Sequence, residues 1–276
     1  GLALAAVGVA LTSTALAWWR VRHVPNRPAA GHSAEGTVSW SRLWRFALFM
    51  YVFEASNYFT TPAFASPALA AASGGASVVA LFNVAFQFPM MVVVVIMAGF
   101  QAVYRPLFAG VLAERNPERV RTTFSEVSKV QALMLIPAGV GLILMLPDYV
   151  PLLFTNQFAS AVPLARILCV FMFLEALFNL GGILLSVDHR YRSSLIIQGL
   201  RIIGTPAFVL LALRGQMLLA TTAFGAGRLL AAGLGFVIAR RIYGVRFPTA
   251  FTLRVCCSTL AMAIVVGFGQ RLLPST

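Results

Sequence analysis

Long apolar stretches recur along the chain and are separated by short polar connections. Each stretch is close to the length of about 20 apolar residues that a helix needs to cross the hydrocarbon core of a bilayer. The pattern therefore predicts eight membrane crossings, numbered here from one to eight along the chain. They span residues 2–19, 46–65, 77–103, 130–147, 164–186, 194–213, 216–239 and 250–270.

Composition narrows this pattern to one class of protein. Hydrophobic residues make up 59% of the sequence and charged residues only 11%, a balance that water-soluble domains do not have. We therefore expect an all-α fold, a polytopic transmembrane helix bundle.

Positive charge is concentrated in every second connection. The connections after crossings one, three, five and seven carry most of the arginines, and those on the other side carry few charges. Because Lys and Arg accumulate on the cytoplasmic side of a membrane, the basic connections are predicted to be cytoplasmic and both ends of this chain to lie on the outer side. The same loop-by-loop distribution argues against nucleic acid as the partner of a chain with net charge +13, since nucleic-acid binding needs one continuous basic surface. Membrane lipids are the expected partners instead, and their anionic headgroups would bind the basic connections.

The connection over residues 104–129 has the pattern of an amphipathic helix. Asn116 can cap it, Pro117 suits its first turn, and Glu118 complements its positive end. Its predicted apolar face consists of Val120, Phe124, Val127 and Leu133.

Polar residues at bilayer depth are the strongest functional signal, because a charge at the centre of a crossing costs about 2.5–3.5 kcal/mol on insertion scales. Five crossings carry such residues, and spacings of three or four place them on one face of each helix. From crossing two to crossing seven they are Glu54, Asn57, Tyr58 and Thr61; Asn83 and Gln87; Glu175 and Asn179; Gln198, Arg201 and Thr205; and Arg228.

Two interpretations of these stripes stay open at the level of sequence. The helices surround a hydrated cavity that receives an anionic substrate, with arginine as the bidentate ligand for phosphate. Alternatively, Glu54 or Glu175 forms internal salt bridges with Arg201 or Arg228. Prolines at 62, 89, 137 and 206 are expected to interrupt crossings, which is typical of transporters.

The sequence contains no clear pattern of catalytic or metal-binding residues. The cysteines and histidines have no metal-binding spacing, and Asp188-His189, the nearest pair to a catalytic dyad, falls in a short basic turn. We expect no enzyme activity, no metal site and no cofactor.

Three loose motifs resemble a known family. They are Tyr104-Arg105-Pro106-Leu107-Phe108, then Pro137-x-Gly139-x-Gly141-Leu142, then Leu153-Phe154 with Phe158 and Ala161. Over roughly residues 40–245 the chain resembles the C-terminal half of bacterial Wzx-type polysaccharide flippases of the MOP exporter superfamily, which also includes the MATE drug exporters.

The resemblance implies a domain organisation. Residues 1–20 would be the last helix of an N-terminal half, 21–45 a cytoplasmic linker, 46–245 a six-helix bundle and 246–276 an additional helix. The linker is rich in proline and glycine, as a mobile connection would be. The chain begins at Gly1 inside an apolar run, so we expect further sequence before it.

The resemblance also implies a function. The chain would belong to a flippase that moves an undecaprenyl-diphosphate-linked oligosaccharide across the bacterial inner membrane by alternating access. Glycan polymerase or assembly proteins would be its protein partners. Arg201, Arg228, Asn57, Asn83, Gln87 and Asn179 would bind the substrate. Glu54 and Glu175 would bind the coupling ion, a proton or sodium.

Two alternatives remain. A MATE-like drug or cation antiporter would place more acid than base in its cavity, and the deep arginines argue against that. A membrane-embedded glycan-assembly enzyme would usually have a large outer loop with catalytic Arg or His, and residues 148–163, the largest outer connection, contain neither.

Overall fold

The computed structural model describes residues 40–61, 64, 66, 67, 70 and 76–272. Crossing one and residues 21–39 of the predicted linker therefore lie outside the described residues. The chain divides into two compact units, Gly1–Arg45 and Phe46–Thr276, and the second contains all the contacts discussed below.

The described secondary structure is entirely helical, which confirms the predicted all-α class. The α-helices are α1 (Trp40–Phe59), α2 (Ala76–Ala113), α3 (Pro117–Phe154), α4 (Val162–Phe178), α5 (Leu180–Val187), α6 (Tyr191–Leu213), α7 (Met217–Tyr243) and α8 (Thr249–Leu272). A short 3-10 helix, Asn156–Ala161, joins α3 to α4.

Five segments of the described chain are long and apolar enough to cross a membrane: Ser77–Ala113, Pro117–Phe154, Asn156–Val187, Tyr191–Leu213 and Met217–Tyr243. They correspond to predicted crossings three to seven. A shorter apolar segment, Thr249–Val265, lies within α8, and α1 is not among the five. The chain is therefore a multi-pass membrane helix bundle.

Two predicted crossings have different limits in the structure. Crossing two was expected to reach residue 65, but α1 ends at Phe59 and is followed by a turn at Thr60. Crossing five was expected to be one helix over 164–186, whereas the structure has α4 and α5, which meet at Asn179.

The prediction that prolines interrupt crossings was wrong for three of the four. α2, α3 and α6 continue through Pro89, Pro137 and Pro206 respectively. A proline removes one backbone hydrogen bond from a helix, and in a packed membrane bundle neighbouring groups allow the helix to continue. Pro62 lies outside the described residues.

The amphipathic start of α3 is confirmed. The Asn116 side chain accepts hydrogen bonds from the backbone N–H groups of Glu118 and Arg119, at 3.0 and 3.4 Å. Val120, Phe124 and Val127 are buried, but Leu133, expected on the same face, is 55% exposed. Gln131 takes the buried position instead, since it follows Val127 by four residues and so remains on that face.

α6 and α7 pack closely along glycines. A Cβ placed on Gly227 would lie 2.8 Å from the Cα of Gly204 on the opposite helix, so the two backbones nearly touch. Next to this helix contact, the rings of Phe82, Phe208 and Phe224 form a buried aromatic cluster with centroid separations of 4.4–6.0 Å. This packing fixes the position of Arg201 on α6 relative to Arg228 on α7.

The three described basic connections meet at one end of the bundle, called here the basic end. Arg121, near the start of α3, donates from Nε to the carbonyl oxygen of Tyr243 at 3.0 Å. The Tyr243 hydroxyl donates to Asp188 at 2.5 Å, and Arg190 donates to the same carboxylate at 2.7 Å. This hydrogen bond to Asp188 raises the pKa of Arg190. The α2–α3, α5–α6 and α7–α8 connections are thus joined by hydrogen bonds.

Candidate functional site

A carboxylate held between two arginines lies in the middle of the bundle. Glu175 on α4 forms ion pairs with Arg201 on α6 and Arg228 on α7. Arg228 donates from Nε to Glu175 Oε2 at 2.7 Å. Arg201 is ten residues from the start of α6 at Tyr191, roughly 15 Å along the axis at 1.5 Å per residue, so this arginine lies far from either end of α6.

Arg228 is held by protein groups on several sides. Besides Glu175, it donates from Nη1 to the carbonyl oxygen of Thr60 at 3.2 Å, and its guanidinium lies 5.7 Å from the centroid of the Phe224 ring. Only 11% of its side chain is exposed. Such a complete set of partners stabilises a desolvated charge and leaves Arg228 little freedom to contact a ligand.

The carbonyl that Arg228 binds belongs to Thr60, the residue that follows the last residue of α1. Thr205 on α6 donates to the neighbouring carbonyl of Phe59 at 2.9 Å. The last carbonyls of a helix have no partner within the helix and need one elsewhere. Side chains of α6 and α7 therefore supply the hydrogen bonds for α1 at the point where it ends.

A cavity of about 320 Å³ lies on the other side of Glu175. Its polar and charged lining comes from Gln101, Arg105, Glu175, Asn179, Ser186, Ser194, Gln198 and Arg201. Arg201 is the more exposed of the two paired arginines, with 20% of its side chain accessible. The cavity reaches from the Glu175 cluster towards the basic end, where Ser186 and Ser194 flank the α5–α6 turn.

Small residues make room for this cavity. Gly182 on α5 and Ala231 and Ala232 on α7 form part of its wall. A Cβ on Gly182 would lie 3.2 Å from the Asn179 amide oxygen, so a larger side chain there would crowd the polar lining. Small residues of α5 and α7 thus leave the space that the cavity occupies.

The net charge of the cluster is positive. Two guanidinium groups surround one carboxylate, and Arg105 adds a third positive charge to the cavity wall. Among the side chains that the structure describes, Glu175 is the one carboxylate lining this cavity. The geometry therefore favours an anionic guest over a cationic one.

The sequence-predicted residues fall into three groups. Glu175, Asn179, Arg201 and Arg228 are brought together as expected, and Glu175 forms the internal salt bridges that were the alternative interpretation. Asn83 and Gln87 line a separate groove with Met90 and Met91, so the structure does not bring them to the Glu175 cavity. Glu54 and Asn57 lie on α1, and their side chains are outside the described part of the chain.

Sequence reasoning missed two sets of residues. Gln101 and Arg105, hydrogen-bonded to each other at 3.5 Å, line the cavity although the third crossing was predicted to end at residue 103. Gln131, which is fully buried, donates to the carbonyl of Ala176 at 2.7 Å and so connects α3 to the helix that carries Glu175. The four-residue spacing of Gln101 and Arg105 was a signal that could have identified that pair.

No group of three or more potential metal ligands occurs within the described ranges. The expectation that the chain has no metal site therefore remains a prediction.

Comparison with known proteins gives one match. No curated protein and no solved structure is significantly similar to the chain. A family model described as "polysaccharide biosynthesis protein" matches residues 1–163. This range starts earlier than the sequence resemblance over residues 40–245, and it ends at the second residue of α4, so it leaves out the rest of α4 and all of α5–α8. Because the match covers more than half of the 276 residues, the chain belongs to the polysaccharide biosynthesis protein family.

Proposed function

We propose that the chain is part of a flippase that moves an undecaprenyl-diphosphate-linked oligosaccharide across the bacterial inner membrane. Family membership supports a role in polysaccharide biosynthesis. The excess of guanidinium groups over described carboxylates around the cavity is the observation that carries the more specific proposal. A phosphate-bearing cargo would supply the negative charge that this cavity lacks.

Arg201 and Arg228 have different roles in this proposal. Arg201 is partly accessible and faces the cavity, so it binds the diphosphate. Arg228 is enclosed by Glu175, Thr60 and Phe224, so it positions Glu175 and the end of α1. Asn179 in the cavity wall binds sugar hydroxyls, and Glu175 together with Glu54 serves the coupling ion, proton or sodium.

The size of the cavity fits one part of such a substrate. At about 30 Å³ per water molecule, 320 Å³ holds about ten waters, enough for a diphosphate or one sugar unit. A whole oligosaccharide needs a wider opening, as an alternating-access cycle would provide. Asn57, Asn83 and Gln87 would contact the glycan in that wider state.

The proposed orientation follows from the arginines. The basic end faces the cytoplasm, where lipid-linked oligosaccharides would enter the cavity past Arg105. Glycan polymerase or assembly proteins would receive the product on the other side.

The test replaces Arg201 with Gln in the intact protein and measures surface glycan together with protein abundance. Loss of a charge-assisted contact is expected to lower export by about tenfold to a hundredfold at near-normal abundance, since Glu175 keeps Arg228 as partner. Arg166→Gln, which changes an exposed arginine, is the matched control.

The accumulated intermediate separates the flippase from the alternatives. A transport defect leaves completed lipid-linked oligosaccharide in the inner leaflet, whereas a defect in a glycan-assembly enzyme that acts on the outer side leaves its lipid-linked substrate in the outer leaflet. Normal export in Arg201→Gln at normal abundance would refute the role of this arginine in binding the diphosphate.

A further inference from the structure

Two grooves lie side by side at the basic end, apart from the Glu175 cavity. The first, of about 640 Å³, is lined by Arg121, Ser125, Arg240 and Arg246 among others. The second, of about 580 Å³, shares Arg240, Arg246 and Phe247 with the first and is otherwise mainly apolar. The charged groove thus continues directly into an apolar one.

The first groove has a strong positive field. Arg240 and Arg246 are exposed and form no ion pair within the described chain. Arg121 is 3.9 Å from Glu118, but that carboxylate is 85% exposed and therefore well screened by water. Three guanidinium groups therefore face the groove with little compensation.

The backbone around the groove holds Arg121 in place. Gly244 has φ of 68°, a left-handed conformation that ends α7, and a Cβ on this residue would lie 2.7 Å from Nη2 of Arg121. The guanidinium packs directly on the glycine while its Nε binds the carbonyl of Tyr243. Arg121 is thus a fixed part of the wall rather than a free surface side chain.

The start of α8 adds to the positive field. Phe247 and Pro248 line the groove, and α8 begins at Thr249. The first N–H groups of a helix lack partners within it, and this end carries partial positive charge. A negatively charged group in the groove would meet this helix end as well as the arginines.

The second groove leads from the arginines towards the membrane interior. Its apolar walls are Phe178, Phe236, Phe247, Leu253 and Cys256, and the rings of Phe178 and Phe247 are 5.4 Å apart. From Thr249 to Cys256 the wall runs seven residues along α8, roughly 10 Å at 1.5 Å per residue. This shape and chemistry suit the upper part of an acyl chain.

We propose that the two grooves form one binding site for an anionic phospholipid. Its phosphate binds Arg121, Arg240 and Arg246, and one acyl chain lies against the phenylalanines between α8 and the rest of the bundle. Basic pockets between membrane helices are suited to such headgroups. The site shares no lining residue with the Glu175 cavity, so it does not depend on the proposed transport function.

The experiment measures the melting temperature of the purified full chain in detergent during titration with phosphatidylglycerol. Arg240→Gln combined with Arg246→Gln is expected to raise the half-saturating lipid concentration roughly thirtyfold. Arg166→Gln combined with Arg214→Gln, which removes the same charge from exposed sites elsewhere, is expected to have no effect. Phosphatidylcholine should not stabilise the protein, and short-chain phosphatidylglycerol should bind more weakly than the long-chain form.

A second measurement keeps the arginines intact. Cys256 lines the apolar groove, so in a background of Cys169→Ser and Cys257→Ser long-chain phosphatidylglycerol should slow its reaction with a maleimide. Equal protection by phosphatidylcholine, or equal stabilisation by inorganic phosphate, would overturn the proposal. Selective binding of undecaprenyl diphosphate over phosphatidylglycerol would reassign the site to the cargo.

Discussion

Glu175 is the residue on which the central cluster depends. It is only 5% exposed and binds two guanidinium groups that would otherwise repel each other. Removing one partner of a buried ion pair leaves an uncompensated charge and is strongly destabilising, by about 3–5 kcal/mol in soluble proteins. The loss of the carboxylate should therefore leave both arginines without their buried counter-charge.

Glu175→Gln is expected to lower the melting temperature in detergent and the abundance in the membrane, because two buried guanidinium groups then face a neutral amide. Glu126→Gln, which removes an exposed carboxylate paired with Lys129, should change neither. Adding Arg201→Gln to Glu175→Gln should restore part of the stability, since one of the two unpaired charges is removed. A double variant no more stable than the single one would contradict this account of the cluster.

Individual residues show where sequence reasoning succeeds and where it stops. Glu175 and Arg228 could be found because a charge inside an apolar helix is costly and therefore rare unless it is paired or functional. Their pairing could not be found, since it depends on how α4 and α7 pack. Gln131 is buried and Leu133 is exposed because α3 turns the face that carries Gln131 towards α4. The sequence does not show which face of α3 meets α4.

Among the elements, α6 and α7 have the most extensive contact. Their backbones meet at Gly204 and Gly227, as is typical of membrane helices that pack through small residues. Arg201 lies within one helix turn of Gly204, and Arg228 directly follows Gly227. The contact between the two glycines therefore sets the spacing between these arginines. A side chain at the contact should therefore separate the two helices and disturb the ion pairs.

Gly227→Ala is expected to lower the melting temperature by several degrees, because the new methyl group would overlap Gly204 of the facing helix. Gly233→Ala on the same helix, where a Cβ meets nothing within 4 Å, is the control and should leave the melting temperature unchanged or slightly higher, since alanine favours helix. Equal effects of the two substitutions would show that the close contact is not what stabilises this pair.

Helix boundaries could be predicted only in part. The start of α3 was readable because Asn116, Pro117 and Glu118 each act locally. The end of α1 at Phe59 was not, since the carbonyls released there are satisfied by Thr205 and Arg228 from other helices. The break between α4 and α5 likewise coincides with a tertiary contact, where a Cβ on Gly181 would lie 2.7 Å from the backbone of Phe236.

At the scale of the whole molecule, the alternation of charge and the helical topology agree. The described basic connections form one end of the bundle, and Ser160, Pro163 and Met217 line a groove at the other end. Periodicity and composition are global properties of the sequence, so they predicted the fold class. The single shared cavity was predicted less well, because Asn83 and Gln87 face a different groove.

Labelling of single cysteines should establish the orientation. In a variant with Cys169, Cys256 and Cys257 replaced by Ser, Ser160→Cys is expected to react with an impermeant maleimide from the outer side of the membrane. Glu118→Cys, at the basic end, should react only after the membrane is permeabilised. Both positions are exposed, so a reversed pattern would place the basic end outside and contradict the proposed path of the cargo.

Arg228 binds a carboxylate on α4 and a main-chain oxygen just beyond α1 with the same guanidinium. Any proton or anion that loosens Glu175 from Arg228 therefore also alters how firmly the first described helix is docked. Thermodynamic reciprocity requires the converse, that undocking this helix changes the affinity for that proton or anion by an equal factor. A chemical event in the bilayer interior would in this way change the free energy that holds the end of this helix against the bundle.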